Sequence, residues 1–283
     1  MRVAARADEG LDRLDARDFA RLAAFIRETS GIKMPDGKRT MLEGRLRRRV
    51  RATGTGTIAD YCHRFFADGC DADEAVHLIN AVTTNKTDFF REPRHFDYLH
   101  DAVLPALAAA GRRRLRAWSA ACSTGAEPYS MAMVIDTFAA QHGAIDYGIL
   151  ATDLDTEVLE VARRGVFAAE MIAPVPPVLR QRYVLAARSP GRGEVRIVPA
   201  LRAAIGFARH NLMDDAYRVG EAMDLIFCRN VLIYFDKPTQ ERVVQRLAAC
   251  LRPGGYLFLG HSESVAGFDV PLTTVANIVF QRR

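Results

Sequence analysis

Polar residues that could hold a ligand follow several predicted strands of this sequence, and others lie in one short linker. Those that follow strands are Glu127, Asp153, Asn211 and Asn230, and those in the linker TTNKTDFFRE are Asn85, Thr87 and Arg91. Because open α/β sheets bind ligands outside the carboxyl ends of their strands, we expect both groups to line one site. Their carboxylates, amides and hydroxyls suit ribose hydroxyls, a purine and an amino acid end. Phe89 and Phe90 in the linker are either apolar walls of this site or core aromatics.

A single glycine, Gly125, lies in the loop SAACSTGAEPYS between the first predicted strand and its helix. The loop lacks both the three-glycine dinucleotide fingerprint and the Gly-Lys-Ser/Thr of a phosphate-binding loop. Glu127 at the start of the helix would repel a phosphate and attract a positive charge. These features disfavour NAD, FAD and ATP, and they favour S-adenosylmethionine, which carries an ammonium and a sulfonium group.

No nucleophile–base pair stands out among the residues with catalytic potential. His261 is isolated, His95 and His100 are five positions apart on a predicted helix, and no metal-ligand spacing occurs. We expect surface or capping histidines and no metal. A glutamate carboxylate has an ordinary pKa of about 4.3, so it is ionised at pH 7 and can accept a methyl group without a general base. A site that positions its ligands without a base therefore fits carboxylate O-methylation, and other acceptors stay open.

The elements that must position these residues alternate between strand and helix. The predicted strands are Leu115–Trp118, Asp146–Thr152, Met223–Cys228, Tyr256–Gly260 and Asn277–Gln281. Helices are predicted from Pro93, Glu127 and Pro238, and Asp155 is predicted to be the N-cap of another helix. The alternation ends in two strands around a loop, which predicts an α/β fold with a Rossmann-like sheet of the class I methyltransferase type.

Two further regions differ in pattern from this alternation. Residues 165–208 lose their periodicity, and a hairpin turning at Gly191 and Gly193 with a return strand over Val195–Val198 predicts a small β insertion. Helices without strands are predicted near the N-terminus, over Asp18–Thr29, 38–54, Ile58–Phe66 and Glu74–Val82. We therefore expect an all-α N-terminal domain at 1–90, a ligand-binding domain at 91–283 and the insertion at 165–208.

Composition narrows the class of protein. The chain has 283 residues, of which 49% are hydrophobic, enough for a substantial core. Its five cysteines form no CxxC pair, its N-terminus lacks a signal-peptide pattern, and no apolar run approaches membrane-spanning length. These features predict a cytoplasmic protein without membrane insertion. The net charge of +5 and the arginine-rich helix at 38–54 indicate either an acidic partner or a solvated helix face.

Six sequence blocks in order resemble the chemoreceptor glutamate methyltransferases of the CheR family. They are TTNKTDFFRE, SAACSTGAEPYS, ATDLD, HNL, FCRNVLIYFDK and LRPGGYLFLGHSES. The helical N-terminus with its basic helix is also similar, so the resemblance covers nearly the whole chain. It implies a protein-glutamate O-methyltransferase that converts S-adenosylmethionine to S-adenosylhomocysteine. The implied substrates are the cytoplasmic methylation helices of chemotaxis receptors.

The resemblance also implies roles for individual residues. Asn85, Thr87 and Arg91 would lie on the methionyl side of the cofactor, Glu127 at its amino acid end and Asp153 on its ribose. Asn211, Leu212, Asn230 and Val231 would flank the adenosine and the methyl-transfer site. We assign a catalytic role to Arg91 as well. Tyr234 is our own candidate for a wall beside the acceptor carboxylate, and the alternative is packing beneath the strand end.

Partner residues follow from the same resemblance. Receptor methylation regions are glutamate-rich helical bundles, so Arg45, Arg48 and Arg49 become expected docking residues. Some family members bind a pentapeptide tether through a glycine-rich turn followed by arginine, but Val195 stands at the first arginine position, so we expect no tether binding. The Asn/Asp-Pro-Pro-aromatic tetrad of nucleic-acid methyltransferases is missing, so no nucleic-acid substrate is expected. We expect a monomer, and the alternative from another class is a non-catalytic binding protein.

Overall fold

The chain divides into two compact units after Thr83. The computed structural model describes residues 12–67, 71–143, 145–186 and 193–283. The division precedes the expected boundary at residue 90, because the linker is hydrogen-bonded to the second unit. Asn85 Nδ2 donates to Asp155 Oδ2 over 2.7 Å, and Phe90 N donates to Ser130 Oγ over 3.0 Å. The linker and the strand ends therefore belong to one body.

The described part of the N-terminal unit contains the helices α1 (Ala16–Ser30), α2 (Arg39–Thr53), α3 (Ile58–Ala67) and α4 (Ala72–Val82). Their ends have local causes: Asp15 accepts a hydrogen bond from Asp18 N at the start of α1, and Gly31 ends it in a left-handed conformation. Each helix buries an apolar stripe, as Leu22 and Ile26 do on α1. The predicted all-α N-terminal domain is confirmed.

The second unit alternates strands and helices. Its described strands are β1 (Arg114–Ser119), β2 (Asp146–Asp153), β3 (Val166–Ala168), β4 (Val184–Ala186), β5 (Glu194–Ile197), β6 (Ile205–Arg209), β7 (Met223–Cys228), β8 (Leu251–Leu259), β9 (Leu272–Ala276) and β10 (Val279–Arg282). Its described α-helices are α5 (Arg94–Tyr98), α6 (Leu104–Ala109), α7 (Ala126–His142), α8 (Thr156–Arg164), α9 (Pro177–Tyr183), α10 (Pro199–Ala203) and α11 (Lys237–Cys250). A π-helical turn, Leu99–Val103, joins α5 to α6.

Seven strands form one sheet in the order β6-β2-β1-β7-β8-β10-β9. The strands from β6 to β8 are parallel, whereas β10 pairs antiparallel with both β8 and β9. Counted by their appearance within this sheet, the order is 3-2-1-4-5-7-6. The strand order therefore reverses at β1, and the point between β1 and β7 is a topological switch point.

The two faces of the sheet are covered by different helices. Alternate residues of β7 point to opposite faces, so Leu225 and Phe227 join one apolar cluster and Ile226 joins the other. α7 contributes Tyr129 to the first cluster, and α11 contributes Leu247 to the second. Burial on both faces explains why β7 reads as a continuous apolar run in the sequence.

A second, three-stranded antiparallel sheet has the order β3-β5-β4. It confirms the predicted small β insertion, with Val195 on the central strand. The turn residue Gly191 lies outside the described residues. β6, expected inside the insertion, instead pairs in parallel with β2 as part of the main sheet. No helix among the described residues is long and apolar enough to span a membrane.

Candidate functional site

The carboxyl ends of three neighbouring parallel strands meet at the switch point. β1 ends at Ser119, β2 at Asp153 and β7 at Cys228, and β1 lies between the other two. Open α/β sheets bind ligands outside the strand ends at such a point. The loops that follow these strands therefore define the candidate site.

The loop between β1 and α7 is fixed against the end of β2. Ser123 N donates to Asp153 Oδ2 over 2.8 Å. Gly125 begins α7 with a φ of 95°, and a Cβ added there would lie 2.9 Å from Ala162 Cβ. Both the left-handed backbone and the close packing against α8 therefore require glycine.

Asp153, at the end of β2, is 9% exposed. Its Oδ2 accepts from Ser123 N, and its Oδ1 accepts from Asp155 N over 3.0 Å. Burial raises the pKa of the Asp153 carboxyl, and these backbone donors oppose that shift. Because a carboxylate has about four acceptor positions, Asp153 retains capacity for ligand hydroxyls. Asp155 is the N-cap of α8, as predicted.

Glu127 is buried and already has two polar partners. Ser119 Oγ donates to Glu127 Oε1 over 2.7 Å, and Arg229 Nε forms an ion pair with Oε2 at 3.1 Å. Burial raises the pKa of the Glu127 carboxyl, whereas Arg229 favours the ionised form. Arg229 thus neutralises the negative charge of Glu127. From the sequence, that charge was expected to attract the ammonium group of a ligand. Any ligand contact of Glu127 must use its remaining acceptor capacity.

Arg229, which sequence reasoning did not choose as a site residue, connects the end of β7 to the linker. It is 5% exposed. Its Nη2 donates to Arg91 O over 2.6 Å, and its Nη1 donates to His95 Nδ1 over 3.2 Å. The guanidinium carbon lies 5.4 Å from the ring centroid of Phe96 and 5.6 Å from that of Phe227. An arginine directly after a buried apolar strand is the signal that could have identified it.

The linker residues predicted to bind a ligand lie at the same edge of the sheet. Asn85 Nδ2 donates to Asp155 Oδ2, and Ser123 Oγ donates to Asn85 O over 2.9 Å. Arg91 Nη1 donates to Lys86 O over 3.0 Å, so its guanidinium is oriented by the linker itself. These contacts bring Asn85 next to the loops after β1 and β2.

The linker phenylalanines are core residues. Phe89 is 0% and Phe90 8% exposed. Their ring centroids lie 4.9 Å from that of Phe167 and 5.0 Å from that of Phe96, respectively. This geometry matches the second of the two readings of the sequence, core aromatics. Thr87, which precedes them, is half-buried.

Asn211 and Leu212 follow β6 and lie beside the end of β2. His210 N donates to Asp153 O over 3.0 Å. Asn211 is half-buried, and its Oδ1 accepts from Met213 N over 3.0 Å, whereas Leu212 is 6% exposed. The structure therefore brings this pair next to Asp153.

Asn230 follows Arg229 in a left-handed conformation with a φ of 59°. Its Nδ2 donates to Glu92 Oε1 over 3.1 Å. Val231 is half-buried beside it. Tyr234 is half-buried and packs against the apolar cluster on the α11 face of the sheet. That packing matches the alternative reading for Tyr234, packing beneath the strand end.

Left-handed residues other than glycine concentrate around the site. Phe90, Glu92, Ser123 and Asn230 have φ values between 49° and 59°. Each such residue costs about 1–3 kcal/mol, and strained residues of this kind cluster at functional sites. The strain gives no signal in the sequence.

Glu92, His95 and His261 approach one another, although no sequence pattern connects them. One ligand atom from each lies within 4.8 Å of the others. The prediction of a surface or capping residue is wrong for His95, which is 3% exposed. Burial, together with Arg229, lowers the pKa of His95 to about 4. A cation at His95 Nδ1 would meet the Arg229 guanidinium, so the arrangement disfavours a metal ion.

Two cysteines lie next to the site, but neither is prepared as a nucleophile. Cys122 and Cys228 are both 0% exposed. Burial raises the pKa of each thiol well above its ordinary value. A thiolate is therefore disfavoured at both positions.

In the N-terminal unit, α2 carries the arginines predicted to dock a partner. Arg45 Nη1 donates to Thr83 O over 2.6 Å. Arg49 Nε and Nη2 donate to the two carboxylate oxygens of Glu74 over 3.0 and 2.6 Å. Arg45 and Arg49 thus stabilise the packing of the helical unit. The exposed arginines of α2 are Arg48 and Arg51.

The fold and the edge chemistry together define the class of the protein. Five parallel strands in Rossmann order, extended by an antiparallel β9–β10 hairpin, form the sheet of class I methyltransferases. The switch-point loop presents carboxylates and amides instead of a phosphate cradle. The protein is a class I methyltransferase with an S-adenosylmethionine-binding domain.

Sequence comparison identifies the family. A family model described as "CheR methyltransferase, SAM binding domain" matches residues 85–278, and one described as "CheR methyltransferase, all-alpha domain" matches residues 17–83. The chain belongs to the CheR methyltransferase family, which confirms the resemblance.

Relatives named chemotaxis protein methyltransferase match 87–93% of this chain. Chemotaxis protein methyltransferase 2 of Pseudomonas aeruginosa is 40% identical over 265 residues, which cover 93% of this chain and 92% of that protein. The chemotaxis protein methyltransferase of Escherichia coli is 39% identical over 266 residues, covering 93% of this chain and 89% of the relative. That of Salmonella typhimurium is 41% identical over 250 residues, covering 87% and 83%.

Proposed function

We propose that this protein is a protein-glutamate O-methyltransferase that acts in the cytoplasm on the methylation helices of chemotaxis receptors. The relatives named chemotaxis protein methyltransferase support a role in chemotaxis, since two of them match 93% of this chain at 39–40% identity. The observation that carries the proposal is the acidic switch-point edge around Asp153 and Glu127 within a domain of the CheR family.

The residues at this edge fit S-adenosylmethionine. When bound, that cofactor supplies an electrophilic methyl group on a positively charged sulfonium. Asp153 has spare acceptor capacity for ribose hydroxyls, and the hydrogen bond from Ser123 N holds the loop after β1 beside it. The residues proposed to hold the methionyl end are Asn85, Thr87, Arg91 and Glu127, and those proposed to flank the adenosine and the transfer site are Asn211, Leu212, Asn230 and Val231.

For this reaction, the protein must position the cofactor and the acceptor and must exclude water. The cofactor would supply its methyl group to an acceptor carboxylate oxygen, and its sulfur would keep the electron pair of the broken carbon–sulfur bond. No proton moves, because the acceptor is already ionised at pH 7. The Arg91 guanidinium can hold a carboxylate by charge-assisted hydrogen bonds, and Tyr234 is proposed as a wall beside the acceptor. Rate then depends on in-line approach in a site that excludes water.

Docking of the receptor is proposed to use the basic helix α2. Glutamate-rich helices attract arginines by long-range charge, which raises the association rate more than the final affinity. Of the proposed docking residues Arg45, Arg48 and Arg49, Arg48 is the exposed one. Arg48 and its exposed neighbour Arg51 therefore test docking without disturbing the helical packing. Tether binding is not part of the proposal, because Val195 occupies the position of the first arginine.

One labelling experiment tests the proposed acceptor. The purified chain is incubated with methyl-labelled S-adenosylmethionine, receptor-containing membranes and RNA. We expect label on the receptor that mild base releases as methanol, as glutamate methyl esters require. Label on RNA would support a nucleic-acid methyltransferase instead. Binding of S-adenosylhomocysteine without transfer to either acceptor would support a non-catalytic binding protein.

A further inference from the structure

The buried carboxylate of Glu263 collects backbone N–H groups from two loops. Its Oε1 accepts from Val231 N over 2.8 Å and from Leu232 N over 2.7 Å. Its Oε2 accepts from Asn230 N over 3.0 Å and from Gly260 N over 2.5 Å. Glu263 is 5% exposed, and both of its carboxylate oxygens accept from backbone N–H groups.

The segment that Glu263 binds contains a strained backbone conformation. Asn230 adopts a left-handed φ of 59°, which turns three successive N–H groups of the segment toward one point. Concave arrangements of backbone N–H groups bind anions, and here the anion belongs to the chain itself. Without it, the three donors would lack this partner, and the unpaired buried N–H group of Leu232 alone would cost about 1–3 kcal/mol.

Gly260 shows how closely the two loops approach. A Cβ added at this residue would lie 2.6 Å from Asn230 Nδ2, 2.8 Å from Asn230 N and 2.9 Å from Glu263 Oε2. Its φ is not in the left-handed region. Close approach, and not backbone conformation, therefore explains the glycine.

We propose that Glu263 is a positioning residue, which holds Asn230, Val231 and Leu232 in the conformation that binds the cofactor. This inference rests on the proposed cofactor contacts of Asn230 and Val231. Arg229 directly precedes this segment, and its side chain forms an ion pair with Glu127. The conformation of the segment therefore affects both sides of the switch point. Glu263 does not touch the reacting atoms.

The first test replaces the carboxylate by its amide. Glu263→Gln keeps the size of the side chain but has one acceptor oxygen, and its NH₂ group would face N–H donors. We expect the dissociation constant for S-adenosylhomocysteine, measured by calorimetry, to rise about tenfold or more. Asp224→Asn is the matched control, because Asp224 is 0% exposed, lies near the opposite end of β7 and accepts from Arg116 N over 2.8 Å. It should lower the unfolding midpoint while leaving the dissociation constant within about twofold.

A second pair of variants keeps the test decisive if Glu263→Gln does not fold. Gly260→Ala should weaken binding of S-adenosylhomocysteine, whereas Gly206→Ala on β6, with no atom within 4 Å of its added Cβ, should not. Unchanged binding in Glu263→Gln would overturn the inference, and so would unchanged binding in Gly260→Ala if Glu263→Gln does not fold. Equal weakening by the Asp224 control would overturn it as well. The binding assay with S-adenosylhomocysteine needs no methyl acceptor. If the wild type failed to methylate receptors, that result would refute the proposed acceptor but not the role of Glu263.

Discussion

Replacing Arg229 by methionine is expected to destabilise the second unit strongly, because the Glu127 carboxylate would stay buried without the positive charge of Arg229. The two side chains are 1% and 10% exposed. Methionine keeps an unbranched apolar stem that can pack against Phe96 and Phe227, but it removes the positive charge and all N–H donors. The variant therefore tests the ion pair and not a cavity.

Three contacts of Arg229 set the size of the effect. Besides the ion pair at 3.1 Å, it donates to Arg91 O over 2.6 Å and to His95 Nδ1 over 3.2 Å. Removing one partner of a buried pair costs about 3–5 kcal/mol, which is the loss expected in the free energy of unfolding. Glu127→Gln leaves Arg229 its other two acceptors, so its cost should be about 1–3 kcal/mol. The double variant should be more stable than the sum predicts by at least about 1.5 kcal/mol, since neither charge is buried alone.

Urea unfolding without cofactor measures these values. Fluorescence of Trp118 is the suitable probe, because it is the single tryptophan of the chain and lies on β1 of the same unit. Arg218→Met, at an exposed arginine of that unit, is the control and should change stability by no more than about 0.5 kcal/mol. Additive effects within about 0.5 kcal/mol, or a cost below about 1 kcal/mol for Arg229→Met, would refute the assigned pairing.

Three further predictions address the fold, the site and the docking helix. Burial and a neighbouring guanidinium lower the pKa of His95 in the folded protein to about 4. As the pH falls below about 6.5, His95 is therefore protonated in the unfolded chain before it is protonated in the folded one. Stability should therefore decrease by about 2 kcal/mol between pH 7 and pH 5, and His95→Gln should remove that part of the dependence; an unchanged slope would contradict it. Gly125→Ala should cost about 2–4 kcal/mol of unfolding free energy, whereas Gly148→Ala, whose added Cβ meets nothing within 4 Å, should cost less than about 1 kcal/mol. Charge reversal of Arg48 and Arg51 should slow receptor methylation several-fold, most at low salt, with unchanged affinity for S-adenosylhomocysteine; equal loss of both would argue against docking through α2.

The order and type of most elements could be predicted because their signals are local. β7 has the predicted bounds, since a strand buried on both faces is a continuous apolar run. β6 and β9 were not recognised as strands of the main sheet. Both are short and mostly exposed, so they lack the apolar pattern that marks a strand.

The residues of the candidate site could be predicted from the sequence, but the hydrogen bonds that connect them could not. Asp153 and Asn230 follow strands, and that position alone predicts the sheet edge where they lie. The partner of Asn230 is Glu92, 138 positions away, and such long-range pairing has no local signal. Glu263 was missed for the same reason, because its backbone contacts depend on the left-handed turn at Asn230.

We propose that this chain esterifies glutamate side chains of chemotaxis receptors. Peptide mass spectrometry of a receptor methylated by the purified enzyme tests it most directly, because it locates the methyl group on a residue. We expect base-labile methyl esters on glutamates of the cytoplasmic helices, formed only when S-adenosylmethionine is present. Base-stable methyl groups on nitrogen, or an unmodified receptor beside an enzyme that binds S-adenosylhomocysteine, would contradict it.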